Sequence, residues 1–344
     1  MNSRQALGLT AAVGACGLVL NRLARASRSI DFAGASVLIF GGSRGLGLEI
    51  ARQLAAEHAH VMLAARDNEE LERARTDLAS RGLSAATLSC DIRDRHQVEA
   101  AISRMIDEYG TIDVLINDAG VIQVGPIEHM TVGDFEDAMA THFWGPLYAI
   151  QAALPHMRRG GARRIVNISS IGGKIAVPHL VPYTASKFAL TGLSEGLRTE
   201  LASEGFAVTT VCPGLMRTGS TYNASFKGQH RREFAWFHLA DSVPGVSIGA
   251  RRAARQIINA CRYGDPSLII TPAARLAIAM NGVAPSITAR ILSGANRLMP
   301  SPAEAGGNES KPGWQSTSPI APSFVTTLAD RARAENNELT PGVR

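Results

Sequence analysis

The chain has 344 residues and a net charge of +5, with 45% apolar and 19% charged residues. This length suits one α/β domain of about 230–250 residues with extensions, and the scattered Lys and Arg exclude the long basic runs that are typical of nucleic-acid binding. The four cysteines, at positions 16, 90, 212 and 261, stand far apart without a CxxC pair, which argues against a disulfide framework or a metal site and is typical of a reducing compartment.

The amino-terminal segment carries an uncharged stretch, residues 5–21, that is rich in Ala, Gly and Leu. Its length is at the lower limit for crossing a bilayer and also fits a signal-peptide core. Three arginines follow it within residues 22–28, whereas only Arg4 precedes it. This asymmetry favours a cytoplasmic downstream chain over export. Residues 1–32 are therefore predicted to hold a membrane anchor, with an amphipathic helix over an apolar patch, or a frayed tail, as the alternative.

From residue 36 onward, seven apolar, β-rich runs alternate with segments of helical period. Such alternation, with nearly continuous apolar strands, is typical of a parallel sheet covered by helices on both faces. The sequence predicts an α/β fold with one Rossmann-type doubly wound domain, residues 33–272, around a seven-stranded parallel sheet. The runs are residues 36–40, 60–65, 84–90, 113–117, 163–169, 206–212 and 267–271.

Three later segments depart from this alternation. Residues 214–245 hold five aromatic side chains and no strand pattern, which predicts a lid or binding loop; a loop that packs its own small core is the alternative. Residues 273–300 are apolar but interrupted by Pro285, which favours an interfacial segment or an oligomer contact over a membrane span. Residues 301–344 turn to Ser, Pro, Gly, Glu and Asn, a composition that predicts disorder.

The first strand runs directly into a glycine-rich loop that opens a helical pattern. Gly41, Gly45 and Gly47 have the spacing G-x-x-x-G-x-G. Glycines at such positions permit a tight turn and close approach of the backbone to a pyrophosphate, which then faces a helix N-terminus. Because a strand precedes the loop and a helix follows it, the sequence predicts a dinucleotide site.

The end of the second strand suggests which dinucleotide binds. An NAD-preferring site has an acidic residue there, but this chain has Ala65 followed by Arg66, and Arg44 lies within the glycine loop. Two guanidinium groups suit a 2′-phosphate, which accepts forked, charge-assisted hydrogen bonds. The prediction is therefore NADP(H), favoured over NAD(H). The alternative for Arg66 is a solvated residue that starts the next helix, where Asp67 competes for it.

Tyr183 and Lys187 lie four residues apart in "VPYTASKFAL". On a helix they share one face, about one turn apart. A neighbouring ammonium group lowers the pKa of a phenol and makes it a usable proton donor and acceptor. An ordinary amphipathic helix with a surface Lys is the simpler interpretation of this stretch alone.

Further motifs follow the other predicted strands: "CDIRD" the third, "INDAG" the fourth, "NISS" the fifth and "PGLMRT" the sixth. With the glycine loop and Tyr-x-x-x-Lys, they make residues 35–272 resemble the short-chain dehydrogenase/reductase family. Three positions depart from the family pattern, because Phe40 replaces a Thr, and Asp118 and His142 each replace an Asn.

This resemblance implies a set of cofactor-binding residues distributed over the strand ends. Tyr183 and Lys187 belong to it, because the family's Lys also holds the nicotinamide ribose. The other members are Gly41, Ser43, Arg44, Gly45, Leu46, Gly47, Arg66, Asp91, Ile92, Asn117, Ala119, Gly120, Pro213, Gly214 and Thr218.

The resemblance also implies catalytic roles. Tyr183 is expected to be the general acid in reduction and the base in oxidation, Ser170 to orient the substrate oxygen, and Lys187 to lower the tyrosine pKa. The family's Asn at position 142 is thought to hold a relay water. His142 can donate and accept as a neutral ring and so take over the relay, or it can be a packed or capping residue.

The sequence thus predicts an NADP(H)-linked oxidoreductase acting on a carbonyl or secondary alcohol. The aromatic insertion, the apolar extension and the N-terminal segment favour a hydrophobic, lipid-derived substrate. By resemblance the chain is expected to form a homodimer or homotetramer. The alternative is a nucleotide-binding sensor or scaffold of the same fold with weak or no turnover, for which the Asp118 and His142 replacements leave room.

Overall fold

The computed structural model describes residue 23 and residues 25–243, 247–303, 306–318, 321 and 326–338. The stretch predicted to anchor the chain in a membrane, residues 5–21, lies outside this range. Among the described residues, no helix is both long enough and apolar enough to cross a bilayer.

A seven-stranded sheet forms the centre of the molecule, and all its neighbouring strands pair in parallel. The order β7-β6-β5-β4-β1-β2-β3 reverses direction between β1 and β4, as in doubly wound folds. The predicted α/β class and strand number are confirmed. The strands are β1 Ser36–Phe40, β2 His60–Ala65, β3 Ala86–Ser89, β4 Val114–Asn117, β5 Arg164–Ile168, β6 Ala207–Pro213 and β7 Ser267–Ile270.

Helices cover both faces of the sheet and extend into the later segments. A five-residue π-helical turn, Ala140–Trp144, joins α4 to α5. The helices are α1 Gly45–Ala56, α2 Asn68–Ser80, α3 Arg95–Tyr109, α4 Val132–Met139, α5 Gly145–Met157, α6 Val181–Leu201, α7 His230–Ser242, α8 Ala250–Tyr263, α9 Pro272–Val283, α10 Pro285–Asn296 and α11 Thr327–Glu335.

Two hydrophobic clusters explain why the strands are apolar along their whole length. Val37 and Ile39 of β1 face a cluster that includes α1 and α8. Leu38, between them, faces the opposite cluster with α3 and α5. Because successive side chains of a strand point to opposite faces, a strand covered on both sides needs apolar residues at every position. This core fixes the strand ends from which the pocket loops emerge.

The insertion after β6 packs around an apolar cluster of its own beside the pocket. Tyr222, Phe226, Phe234 and Phe237 form its buried centre, with Ala321 from the tail. A short strand, Ser225–Phe226, pairs with Gln123–Val124 on one side and with Lys311–Pro312 on the other. The segment therefore has the small core that was the alternative to a lid, and part of it lines the pocket.

The disorder predicted for residues 301–344 is wrong for the part of the tail that the structure describes. Lys311–Pro312 adds a strand to the insertion, and α11 packs against α7. Asp330 on α11 accepts hydrogen bonds from the Tyr222 hydroxyl (2.7 Å) and contacts Nε2 of His238 (3.0 Å). Polar composition misled the prediction, because specific hydrogen bonds hold this tail more than an apolar face does.

The apolar extension forms two short helices that break at Ala284, and Pro285 begins the second. Each helix buries a single residue, Ala274 in α9 and Thr288 in α10. Large apolar side chains such as Val283 (88% exposed) and Leu298 (90%) remain on the surface. The helix pair thus adds exposed apolar surface and little to the core.

Candidate active site

A cavity of about 810 Å³ opens at the carboxyl ends of the central strands. The loops after β1, β2 and β4 form one wall, and residues of the insertion and tail form the other. Most predicted site residues line it. Five do not, because they lie behind the wall or beside it: Gly47, Asn117, Ser170, Pro213 and Gly214.

The glycine loop is shaped so that side chains are excluded at two positions. A Cβ on Gly47 would lie 2.2 Å from the carbonyl oxygen of Gly41, and one on Gly41, whose φ is +88°, would lie 2.5 Å from the backbone nitrogen of Ala119. No side chain caps α1, which begins at Gly45. The loop therefore brings backbone amides and a helix N-terminus to the cavity, which suits an anionic phosphate.

The two arginines predicted for a 2′-phosphate have different environments. Arg44 forms an ion pair with Glu70 (Nη1 to Oε1, 2.6 Å), and Ser43 donates to the same carboxylate (3.0 Å). Arg66 is exposed at the end of β2. Asp67 does not compete for it, because its carboxylate caps α2 by accepting from the backbone N–H of Glu70 (2.9 Å). Of these two arginines, Arg44 is therefore paired with a carboxylate, and within the described part of the chain Arg66 is not.

The predicted adenine-binding residues lie farther along the same wall. Arg93 donates to the Asp91 carboxylate (Nη2 to Oδ2, 2.6 Å). Burial disfavours the charged carboxylate of Asp91, but the hydrogen bonds and charge of Arg93 outweigh this effect. The pKa of Asp91 is therefore lowered. Ile92 lines the cavity and lies against Gly145. Asn117 is buried at the end of β4, where it donates to Asn167 (2.8 Å).

Tyr183 and Lys187 face the cavity from the first turns of α6, which begins at Val181 with Pro182 next to it. Proline is well suited to a first helical turn because its missing N–H would be unbonded there. The Lys187 ammonium donates to the carbonyl of Ile168 (2.8 Å) and lies 5.7 Å from the centre of the Tyr183 ring. β5 and α6 thereby hold the pair together.

Ser170 lies beside Tyr183 at the end of β5. Its hydroxyl accepts from the backbone N–H of Gly172 (3.0 Å), which caps a short turn of 3₁₀-helix. A Cβ on Gly172 would lie 3.2 Å from the Tyr183 ring, so the turn packs closely against the phenol. Ser170 lies close enough to the phenol to lower the pKa of Tyr183. Tyr183 and Lys187 therefore line one end of the cavity, and Ser170 lies next to Tyr183 just outside that lining.

Burial dominates the protonation of this group. It raises the pKa of Tyr183 to about 12, although the Ser170 hydrogen bond lowers it. It also lowers the pKa of Lys187 to about 8, against the attraction of Asp118. Burial therefore sets the direction of the tyrosine pKa shift, while the Lys187 ammonium donates to a backbone carbonyl. The lowering of that pKa by Lys187 stays a prediction.

The sequence pattern of the short chain dehydrogenase family matches residues 35–227, which is more than half of the chain. The chain belongs to the short-chain dehydrogenase/reductase family. It is therefore an oxidoreductase that uses a nicotinamide dinucleotide. The short-chain dehydrogenase fold explains why the glycine loop and Tyr183 face the same cavity.

Individual relatives agree with this assignment. The chain is 35% identical over 191 residues to gluconate 5-dehydrogenase of Gluconobacter oxydans, which covers 56% of this chain and 75% of that protein. It is 37% identical over 183 residues to a putative ketoacyl reductase of Streptomyces coelicolor, covering 53% and 70%. A crystal structure of a dehydrogenase/reductase from Sinorhizobium meliloti 1021 has a TM-score of 0.62 and 31% identity, covering 72% of this chain and 97% of that one.

His142, one of the departures from the family pattern, is fully buried within the π-helical turn. Its Nε2 accepts from the backbone N–H of Val121 (3.1 Å), so the proton belongs on Nδ1, which lies 2.7 Å from the Ser186 hydroxyl. Burial, and then Lys187, lower its pKa well below the usual value. With both nitrogens engaged, the ring offers no atom to a relay water, and the packing interpretation fits this geometry.

Asp118, the other departure in the pocket, is an acid where the family has an amide. It lies in the cavity wall, and Lys187 and the backbone of Gly47 favour its charged form. Burial nevertheless raises its pKa to about 8. A second ionisable group therefore stands beside Lys187.

Sequence reasoning missed the contribution of the tail to this site. Glu338 lines the cavity, and the backbone N–H of Gly45 donates to the carbonyl of Asn336 (2.8 Å). The tail sequence "ENNE" has no motif character. No local pattern could have indicated that it returns to the glycine loop.

Proposed function

We propose that this short-chain dehydrogenase reduces a hydrophobic carbonyl compound, or oxidises the matching secondary alcohol, with NADP(H) as cofactor and Tyr183 as the general acid or base. The observation that carries the proposal is the convergence of Ser170, Tyr183 and Lys187 on one end of the cavity that the glycine loop borders. When bound, the reduced nicotinamide supplies a hydride to the carbonyl carbon.

The protein's own residues would manage the proton. With a pKa raised to about 12, Tyr183 carries its proton at neutral pH, as a donor to a developing alkoxide must. Ser170, held by Gly172, would direct the substrate oxygen toward the phenol. The Lys187 ammonium would stabilise negative charge that develops on the phenol oxygen.

Residues on the sheet side of the cavity would hold the cofactor. Gly41 and Gly47 let the loop pack closely on its own backbone and on Ala119, so that the loop would present backbone amides and the start of α1 to a pyrophosphate. The choice of NADP(H) rests on Arg66, which is exposed at the end of β2, more than on Arg44, whose guanidinium is already paired with Glu70. Binding of NAD(H) is the alternative that the same wall allows.

A few apolar side chains support an apolar substrate. Val121 and Ile122, which follow β4, and Met216 of the insertion line the cavity, and Ile122 packs against the aromatic cluster of the insertion. The other lining residues of the insertion and tail are mostly polar: Thr218, Ser220, Asn223, Ser225 and Glu338. The resemblance to a putative ketoacyl reductase agrees with a lipid-derived substrate. Association of the chain into a dimer or tetramer belongs to the same proposal and rests on the family resemblance.

A scaffold or sensor with little turnover is the second candidate, favoured by the carboxylate of Glu338 inside the cofactor cavity. Such a protein would bind the nucleotide and need no proton donor. The two candidates therefore differ in their dependence on Tyr183.

One labelling experiment separates them. The protein and its Tyr183→Phe variant are each incubated with a lipid extract and NADPH deuterated at the transferred position, and new alcohols are searched for deuterium by mass spectrometry. Label that appears only with the intact protein supports the reductase and identifies its substrate class. Label that persists in the variant removes Tyr183 from its role. NADPH binding without any label, with polar carbonyls and the oxidative direction also tested, favours the scaffold.

A further inference from the structure

The end of the tail lies across the glycine loop. Asn336 accepts from the backbone N–H of Gly45 (2.8 Å) and donates to the carbonyl of Thr218 (3.3 Å) on the opposite side of the cavity. Asn337 donates to the carbonyl of Ser43 (2.8 Å). Its φ of 57° is a left-handed conformation that asparagine tolerates better than most residues. The tail thus joins the two walls at the place where the loop faces the cavity.

Glu338 follows this turn and carries its carboxylate to the start of α1. A Cβ on Gly45 would lie 2.7 Å from its Oε1, so the carboxylate rests directly against the loop backbone. Asn223 donates to Oε2 (2.5 Å), and Nε of Arg44 lies 3.5 Å from the same oxygen. The residue is 3% exposed. This is a built contact with a donor on each side.

The carboxylate of Glu338 lies where the N-terminus of α1 attracts anions. The N-terminus of a helix attracts anions through its free amides and its dipole, and the glycine loop aims that end of α1 at the cavity. A carboxylate at this position carries a negative charge on two acceptor oxygens, as the non-bridging oxygens of a phosphate group do. Like charges at this distance cannot share the site without a large cost, so a pyrophosphate and an ionised Glu338 exclude each other.

The tail is anchored separately from the residues that touch the loop. Asp330 bonds to the insertion, and Arg333 stacks over the Tyr222 ring at 4.2 Å. Arg52 donates to the carbonyl of Glu335 (2.8 Å). Beyond Glu335, Asn337 accepts from Arg73 (2.9 Å) and donates to the carbonyl of Glu70 (3.0 Å). Release of the glycine loop therefore breaks polar contacts of Asn336–Glu338, while the contacts that anchor α11 stay in place.

We propose that Glu338 is a built-in competitor for the pyrophosphate subsite, which the tail delivers to the glycine loop and which the dinucleotide must displace. The inference rests on the proposed function insofar as the cavity binds a nicotinamide dinucleotide. It assigns Glu338 the task of setting cofactor affinity and exchange, separately from the proton chemistry of Tyr183.

The test is direct titration of the full-length protein with NADPH. Glu338→Gln keeps the size of the side chain and removes its charge, and Glu335→Gln, an exposed acid three residues earlier in the same tail, is the matched control. We expect the Kd for NADPH to fall about three- to tenfold in Glu338→Gln, since a competitor that occupies most molecules raises the apparent Kd by the reciprocal of the unoccupied share. Glu335→Gln should leave it unchanged.

Hydrogen exchange is a second measurement, and a purely structural role of Glu338 would not change its result when NADPH binds. Saturation with NADPH should increase exchange in residues 336–338 of the intact protein while α1 becomes more protected. An unchanged or higher Kd in Glu338→Gln, or a tail that becomes more protected with NADPH, overturns the inference and leaves the proposed function standing. Absence of binding of NADPH and NADH to every variant overturns the proposed function, and this inference with it.

Discussion

The two walls of the cavity are built in different ways. The sheet wall consists of the loops that leave β1 to β5 and of the first turns of α6, and two buried apolar clusters support those strands. The tail wall runs from Met216 to Ser225 and includes Asn336–Glu338, and its tail residues reach the glycine loop through polar contacts, from the Gly45 N–H to Asn336 and from Asn337 to the carbonyl of Ser43. Regions held by few apolar contacts open at lower free energy than a core. The chemistry is thus placed on the rigid wall, and access to it depends on the wall that opens more easily.

The largest expected effect concerns the sheet wall. Lys187→Met should lower kcat/KM on the order of 10²–10³-fold, because it removes the cation that faces the developing phenolate, while the fold persists. Steady-state kinetics on the substrate class found by labelling measures this. Lys174→Met is the control, since Lys174 pairs with Glu195 outside the cavity lining. Equal activities for the two variants would mean that the sheet wall does not carry the chemistry.

The next effect concerns cofactor choice on the same wall. Arg66→Ala should weaken NADPH binding about tenfold or more and leave NADH binding nearly unchanged, because a charge-assisted hydrogen bond contributes about 1.5–3 kcal/mol. Arg44→Ala should have the smaller effect, since Glu70 already holds its guanidinium. Titration of both variants with both cofactors is the measurement. The reverse ranking would contradict the assignment of Arg66.

A smaller effect is expected from loosening the tail wall. Asp330→Asn weakens the contacts to Tyr222 and His238, so α11 should be cut sooner in limited proteolysis and the Kd for NADPH should fall about two- to fivefold as the competitor is held less often. The control is Glu309→Gln, an acid of the tail that pairs only with nearby Lys311 among the contacts of the described tail. Tighter tail docking or weaker NADPH binding in Asp330→Asn would show that the tail wall supports the cofactor.

The last effect is a pH dependence of stability, separate from binding and catalysis. The carboxyl of Asp118 has a pKa of about 8 in the fold and about 4 in an unfolded chain, so the folded chain binds the extra proton between these values. Stability of the natural protein should therefore fall as pH rises from about 4 to 8. Asp118→Asn should lack this loss. Urea unfolding of both proteins at pH 5 and pH 8 tests it; an equal loss of stability in the two proteins would contradict it.

The sheet wall was predictable because its determinants are local. Alternating strands and helices, the apolar side chains of β1 on both faces, and glycines where a Cβ would collide all leave a pattern within a few residues. The tail was not predictable, since Asn336 and Glu338 are held by partners far away in the chain and the polar composition around them resembles that of disordered segments.

The protonation states of the site residues could not be predicted from the sequence for a related reason. Spacing places Tyr183 and Lys187 on one face of α6, but it does not reveal that Lys187 is buried and Tyr183 half-buried at the cavity. Nor does it reveal that the ammonium is directed at Ile168. Likewise, the replacement of an Asn by His142 is visible in the sequence, whereas the engagement of both its nitrogens depends on Val121 and Ser186, which come from other segments.

The return of the tail to the glycine loop also fixes an order of events during synthesis. Ser43 and Asn337, which meet in the finished molecule, are 294 residues apart in the chain. At about 5–20 residues per second, translation of that interval takes roughly 15–60 s. The glycine loop therefore leaves the ribosome well before the segment that covers it exists. A newly synthesised chain encounters cellular nucleotides while its glycine loop is uncovered. Each later exchange of cofactor begins with the tail in place.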